Sequence, residues 1–178
     1  MTQLEYVDLY NLQSLYQIDR YAFDGCKEMV TSEFYAGAPL TSIGEGAFSG
    51  CQKLNITTLP IAIQELVASA FSQCKSIGNF DLRNCTSLKT IPSSCFAYCD
   101  NLRLVGDDLP ENVTKVGSRA FIANTNLVLN FDHSNKLVEI ESSAFERTPA
   151  LTLSNLPSSL TTIRSKAFAG SASVVVSA

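Results

Sequence analysis

Apolar residues recur along this chain at a fixed period. Aligned on one phenylalanine, seven copies emerge, at Phe23, Phe48, Phe71, Phe96, Phe121, Phe145 and Phe168, with spacings of 25, 23, 25, 25, 24 and 23 residues. A small residue precedes each ring: Ala22, Ala47, Ala70, Cys95, Ala120, Ala144 and Ala167. Five positions before the ring stand Ile18, Ile43, Leu66, Ile91, Val116, Ile140 and Ile163. Eight before stand Leu15, Leu40, Ile63, Leu88, Val113, Leu137 and Leu160, and six after stand Met29, Leu54, Ile77, Leu102, Leu127, Leu151 and Val174. No polar residue interrupts these columns, although only 46% of the chain is hydrophobic. A unit this short has one oily side and cannot enclose a core, so it must stack on its neighbours. The pattern predicts a solenoid of about seven windings in residues 1–178, stacked about 4.8 Å apart.

Local patterning predicts the path within a winding. After the ring, Leu127-Val-Leu129-Asn-Phe131 and Leu151-Thr-Leu153 alternate, and Leu4/Val7/Leu9 and Ile77/Phe80/Leu82 share a related spacing. Such alternation favours a short strand, and stacking would join these strands into a parallel sheet. The Leu-Pro pairs at 59–60, 109–110 and 156–157 end it, because proline donates no hydrogen bond. The apolar pair ahead of the ring predicts a bend or a second, very short strand. The x-x-x-Ala-Phe segment then predicts one or two helical turns.

The segment Leu40-Thr-Ser-Ile43-Gly-Glu-Gly-Ala47-Phe48-Ser-Gly-Cys51-Gln-Lys-Leu54 resembles the BspA-type leucine-rich repeat, and the likeness runs from Leu4 to about Val176. The departure is at the third position after the ring. Cys26, Cys51, Cys74 and Cys99 are followed there by Asn124, Thr148 and Ser171. The resemblance implies an α/β repeat solenoid, a right-handed leucine-rich-repeat coil with a parallel β-sheet face and short helical turns. It also implies adhesion or partner binding, at the cell surface or after secretion.

Composition narrows the function. Thirteen Lys and Arg stand against 17 Asp and Glu, a net charge of -4, which disfavours nucleic acid or an anionic membrane as partner. No apolar run approaches the roughly 20 residues of a membrane helix, so membrane insertion is not expected. The first residues, Met1-Thr2-Gln3-Leu4-Glu5-Tyr6, do not form a signal peptide. Sequons stand at Asn55, Asn84 and Asn112.

Candidate chemistry is sparse. The cysteine column fits burial as small hydrophobes better than a disulfide or a metal site, because one ligand per winding spreads along an axis. His133 is the single histidine, and its polar setting, Phe131-Asp132-His133-Ser134-Asn135, predicts a solvated turn. Asp100, Asp107, Asp108 and Glu111 form the densest acidic group but match no calcium-loop spacing. Gly44, Gly46 and Gly50 mimic a phosphate loop, yet the third glycine comes one residue late and no βαβ unit surrounds it. No cofactor, metal site or catalytic residue is expected.

Binding is the favoured function class. A stack presents the residues between its buried positions on one broad face. That face predicts Asn55, Thr58, Asp81, Arg103, Thr152 and Asn155 as contacts for a protein or glycan. Tyrosines crowd the start of the chain, at Tyr6, Tyr10, Tyr16, Tyr21 and Tyr35, against one later, Tyr98. They mark either a binding patch, with Tyr10 and Tyr16 as contacts, or partial burial at the end of the stack. Neither terminus shows a polar cap, so a longer parent array or end-to-end self-association is expected. The alternative function is a structural spacer within a larger surface or virion protein.

Overall fold

A computed structural model describes residues 4–151 and 156–171. The chain winds into a parallel β-solenoid. Its strands are two residues each: β1 (Tyr6–Val7), β2 (Gln17–Ile18), β3 (Val30–Thr31), β4 (Ser42–Ile43), β5 (Glu65–Leu66), β6 (Asn79–Phe80), β7 (Thr90–Ile91), β8 (Arg103–Leu104), β9 (Lys115–Val116), β10 (Glu139–Ile140) and β11 (Thr162–Ile163). Every pairing is parallel and in register, so that Ile18 lies beside Ile43 and Val116 beside Ile140. Seven rings bound six complete periods, and the solenoid has about six windings. Seven full windings are not confirmed, because the last winding continues past Ser171, outside the described residues.

The sheets do not fall where the alternation placed the main one. The continuous strand column precedes the ring. β2, β4 and β5 form one sheet there, and β7, β9, β10 and β11 another. After the ring, among the described residues, the pairs β1–β3 and β6–β8 and a lone bridge between Thr58 and Asp81 form. Leu127, Leu129 and Phe131 are all buried yet make no strand. Phe131 takes a left-handed φ of 59°, which breaks the extended path. The alternation at Leu151-Thr-Leu153 runs beyond the described residues.

The main column breaks once, between β5 and β7, and one residue accounts for it. In other windings the residue after the strand donates its N–H to the strand of the winding before: Gly44 to Ile18 O, Val67 to Ile43 O, Gly117 to Ile91 O, Glu141 to Val116 O and Arg164 to Ile140 O. In the fourth winding that residue is Pro92, which has no N–H to give Leu66 O.

The expected helical turns are absent; no helix occurs among the described residues. Two left-handed residues bracket every ring instead. Two before it stand Tyr21, Gly46, Ser69, Ser94, Arg119, Ser143 and Lys166; two after stand Gly25, Gly50, Gln73, Tyr98, Ala123, Arg147 and Gly170. A non-glycine residue held there costs roughly 1–2 kcal/mol. The conformation turns alternate N–H groups toward the next winding, where a helix would use them internally. Each ring's own N–H donates to the next winding's small residue at 2.7–2.9 Å, from Phe23 to Ala47 O through to Phe145 to Ala167 O. The two left-handed residues donate in the same direction, as Ser69 does to Ser93 O and Gln73 to Ala97 O. The strand column donates backward, so each winding is tied to its neighbour by bonds of both polarities.

The core is one column of side chains. Successive rings stack with centroids 5.2–5.6 Å apart and planes within 13° of parallel. Phe80 wedges edge-on between Phe71 and Phe96 at 5.9 and 5.8 Å, and Phe131 meets Phe145 in the same way at 5.9 Å. The small residue ahead of each ring is sealed at 0% exposure in the five central windings, from Ala47 to Ala144, where a larger side chain would push the windings apart.

Candidate functional site

The cysteine column is a line of hydrogen-bond donors. All six cysteines are buried and outside any disulfide. Cys51 Sγ donates to Phe23 O at 3.0 Å, Cys74 to Phe48 O at 3.1 Å and Cys99 to Phe71 O at 3.0 Å. Each satisfies the ring-bearing residue's carbonyl one winding back. Asn124 does the same with its amide, donating Nδ2 to Phe96 O at 2.9 Å while Oδ1 accepts from Cys99 N at 2.8 Å. Ser171 Oγ reaches Phe145 O at 2.6 Å. Burial pushes Cys51 and Cys99 up to about 12, Cys85 up to about 11, and Cys74 and Cys95 well above the usual thiol range. Such thiols stay protonated at neutral pH and make poor nucleophiles or ligands. Among the described residues no cluster of His, Cys, Asp and Glu could hold a metal ion.

His133 lies with its side chain 81% exposed, Nδ1 3.1 Å from Asp108 Oδ2. Ser134 Oγ donates to the other oxygen of the same carboxylate at 2.5 Å. Serine and histidine therefore share one acceptor rather than bonding each other, and no relay from hydroxyl to imidazole exists. The His133 N–H also donates to Asp108, at 2.5 Å, so this carboxylate ties its loop to the next winding. The turn is exposed, and its polar groups serve the fold. Glu33 plays the same part, accepting from Thr57 N at 2.9 and 3.0 Å.

The face after the ring holds the residues singled out for binding. Thr58 and Asp81 are bridge partners on adjacent windings. Asp81 is engaged by Arg83, whose guanidinium makes two bonds at 3.0 and 2.8 Å and holds its carboxyl below the usual carboxylate range. Asn55 is exposed, its Oδ1 accepting from Thr31 N at 3.3 Å. Arg103 is exposed beside Asn79 in the β6–β8 pair. Thr152 and Asn155 lie outside the described residues.

The early tyrosines stand out from the surface. Tyr6, Tyr10, Tyr16 and Tyr21 are 50–64% exposed, with Leu12 also exposed. Tyr10 meets the half-buried Tyr35 edge to face at 5.9 Å. Asp8 props this corner. It accepts from Ser32 Oγ at 2.9 Å and Asn11 Nδ2 at 2.6 Å, bonds that hold its carboxyl below the usual range. Tyr21 leans over Gly46, where a Cβ would stand 2.6 Å from its ring. Among the described residues, six of the ten exposed large hydrophobics fall between Tyr6 and Val30, and the others are scattered.

A trough on the side of the left-handed residues was not visible from the apolar columns. It is a cavity of about 500 Å³ running from the third winding to the last, between Ser69 and Lys166. Its signal lies in two columns flanking the ring, where hydroxyls and charges alternate with small residues. On the strand face the late charges are paired: Lys115 with Glu141 at 2.6 Å and Glu139 at 3.5 Å, and Arg164 with Glu139 at 2.6 Å.

A parallel solenoid with one stacked phenylalanine per winding is a leucine-rich-repeat fold. The sequence profile of the BspA type Leucine rich repeat region matches in six copies, over residues 2–127 and 104–175, and the chain belongs to that family. No curated protein matches it. Among solved structures it is similar to a leucine-rich repeat protein of T. pallidum, with 25% identity over 90% of this chain and 73% of that one and a TM-score of 0.75. Two others, a leucine-rich repeat protein from Bacteroides ovatus and a leucine-rich cell surface protein from Faecalibacterium prausnitzii, share 18% identity. They cover 93% and 95% of this chain, and 58% and 65% of their own, at TM-scores of 0.44 and 0.45.

Proposed function

We propose that the chain is a non-enzymatic module that binds a protein or glycan, in adhesion or another contact at a cell surface. The observation that carries this reading is the exposed tyrosine corner. The frame repeats winding after winding, whereas exposed aromatic area is concentrated at one end. Tyrosine offers large contact area at low ordering cost, and a spacer has no use for such a patch. Leucine-rich repeats are protein-interaction modules as a class, and that supports the same reading. A surface or secreted location is part of the proposal. Among the described residues no helix is long and apolar enough to cross a membrane. Changing Tyr10→Ala and Tyr16→Ala together should weaken binding to immobilised extracellular-matrix proteins at least tenfold, with the circular dichroism spectrum unchanged. Unaltered binding by that double variant removes the patch as a site.

End-to-end self-association belongs to the proposal as well. Ile163, on the strand β11 at the end of the stack, is 48% exposed among the described residues. Sedimentation equilibrium over a wide concentration range tests it, and a monomer throughout would rule it out.

A further inference from the structure

We infer that the trough beside the stacked rings is a binding site for an extended acidic oligosaccharide. The inference rests on the binding-module reading and adds a second surface to the tyrosine corner.

The first support is the state of its polar groups. Ser69, Ser94, Arg119, Ser143 and Lys166 occupy one column, two before the ring, and line the cavity with Tyr98 and Glu146. Their side chains make no hydrogen bond or ion pair within the described residues. On the strand face of the same late windings Lys115, Glu139, Glu141 and Arg164 are engaged with one another.

The second support is backbone strain. All five column residues, and Tyr98, sit at left-handed φ of 54–59°. Gly46 shows that glycine satisfies this position at lower cost, with φ 57°. The strained corner belongs to the frame and recurs at every ring; what sets this column apart is that hydroxyls and cations, rather than glycine, are kept there in five successive windings.

The shape and chemistry select the ligand. The floor is small or flat, with Ser72, Ala97 and Ile122 nearly sealed at 9%, 2% and 7% exposure. A long polar channel suits a chain of hydroxylated rings better than an apolar peptide. Tyr98, 43% exposed, offers a face on which a sugar ring can lie. Arg119 and Lys166 are cations without a protein partner and suit carboxylates, while the serines and Glu146 suit hydroxyls. The pitch fits too. The rings of these windings stack at 5.4–5.6 Å. An extended peptide repeats its same-face side chains about every 6.7 Å and would drift out of step. A pyranose in an extended, equatorially linked chain advances by about the height of one winding.

The experiment is calorimetric titration with β-linked glucuronic acid oligosaccharides, beside neutral β-linked glucose oligosaccharides of equal length. The variants borrow residues from the same columns, so the fold already accommodates them: Arg119→Ser and Lys166→Ser, as at Ser94, and Tyr98→Gln, as at Gln73. The acidic chain should bind at least tenfold more tightly than the neutral one. Each variant should weaken it severalfold, and the triple variant should abolish it. Absence of binding, or equal binding of both sugars, overturns the inference, as does an acidic peptide binding in the trough in preference to the sugar. If the tyrosine-corner double variant loses its matrix partner while the trough variants bind sugar no differently from the parent, the trough falls and the binding module stands.

Discussion

The first windings and the last fill the same internal position with different chemistry. From Cys26 to Cys99 it is a thiol; from Asn124 onward it is an amide or a hydroxyl. Cys51, Cys74, Cys99, Asn124 and Ser171 all donate to a ring residue's carbonyl in the preceding winding. The position therefore requires a compact donor, and sulfur is one of several solutions. Thr148 is the exception. Its hydroxyl turns to Phe145 O and Ser171 Oγ, at 2.5 and 2.8 Å, and among the described residues the Phe121 carbonyl receives no side-chain donor.

The largest expected difference between the halves is in alkali. An unfolded thiol ionises near 9, whereas folded Cys51 and Cys99 hold their protons to about 12. The unfolded state thus releases protons first as pH rises. The contribution of these two thiols to stability is complete below pH 9 and is lost between 9 and 12, at up to about 1.4 kcal/mol per pH unit for each. Urea melts from pH 8 to 11 should show a steep fall, and a variant with Cys51, Cys74 and Cys99 all changed to Ser should show a shallower one. Equal slopes would mean that these thiols are not the groups released.

Asn124→Leu should come next. It strands two buried groups, Phe96 O and Cys99 N–H, each at about 1–3 kcal/mol. Cys74→Ala removes one of two donors to Phe48 O, which keeps the Cys51 N–H at 3.1 Å, and should cost about 1 kcal/mol, whereas Cys74→Ser should recover most of that by restoring the bond. Denaturant midpoints separate the two, and identical losses would return the column to simple packing. The smallest effect should come from Thr148→Cys, which gives up the hydroxyl's bonds to Phe145 O and Ser171 Oγ for one to Phe121 O and should shift stability, read from the denaturant midpoint, by less than about 1 kcal/mol in either direction.

Much of the site lay in columns that a search for apolar repetition passes over. Asn55, Thr58, Asp81 and Arg103 could be placed on one face because they flank buried positions. Their engagement could not, because Asp81 meets Arg83 only once a loop closes. The trough was hidden for the same reason. Ser69, Ser94 and Arg119 look like ordinary exposed residues until the backbone turns left-handed at each. The helical turn expected at Ala-Phe went astray because side-chain spacing says nothing about where N–H groups point.

By itself the sequence determined the period, the stacked rings, the sealed small residue ahead of each ring and the need to stack. These follow from which side chains water excludes, and hydrophobicity is written in the residues. Only the tertiary structure decided the direction of the hydrogen bonds, the left-handed corners, the column that carries the sheet and the break at Pro92. Those depend on neighbouring windings supplying acceptors, and a backbone group's partner belongs to a winding some 25 residues away, as Phe23 N–H finds Ala47 O.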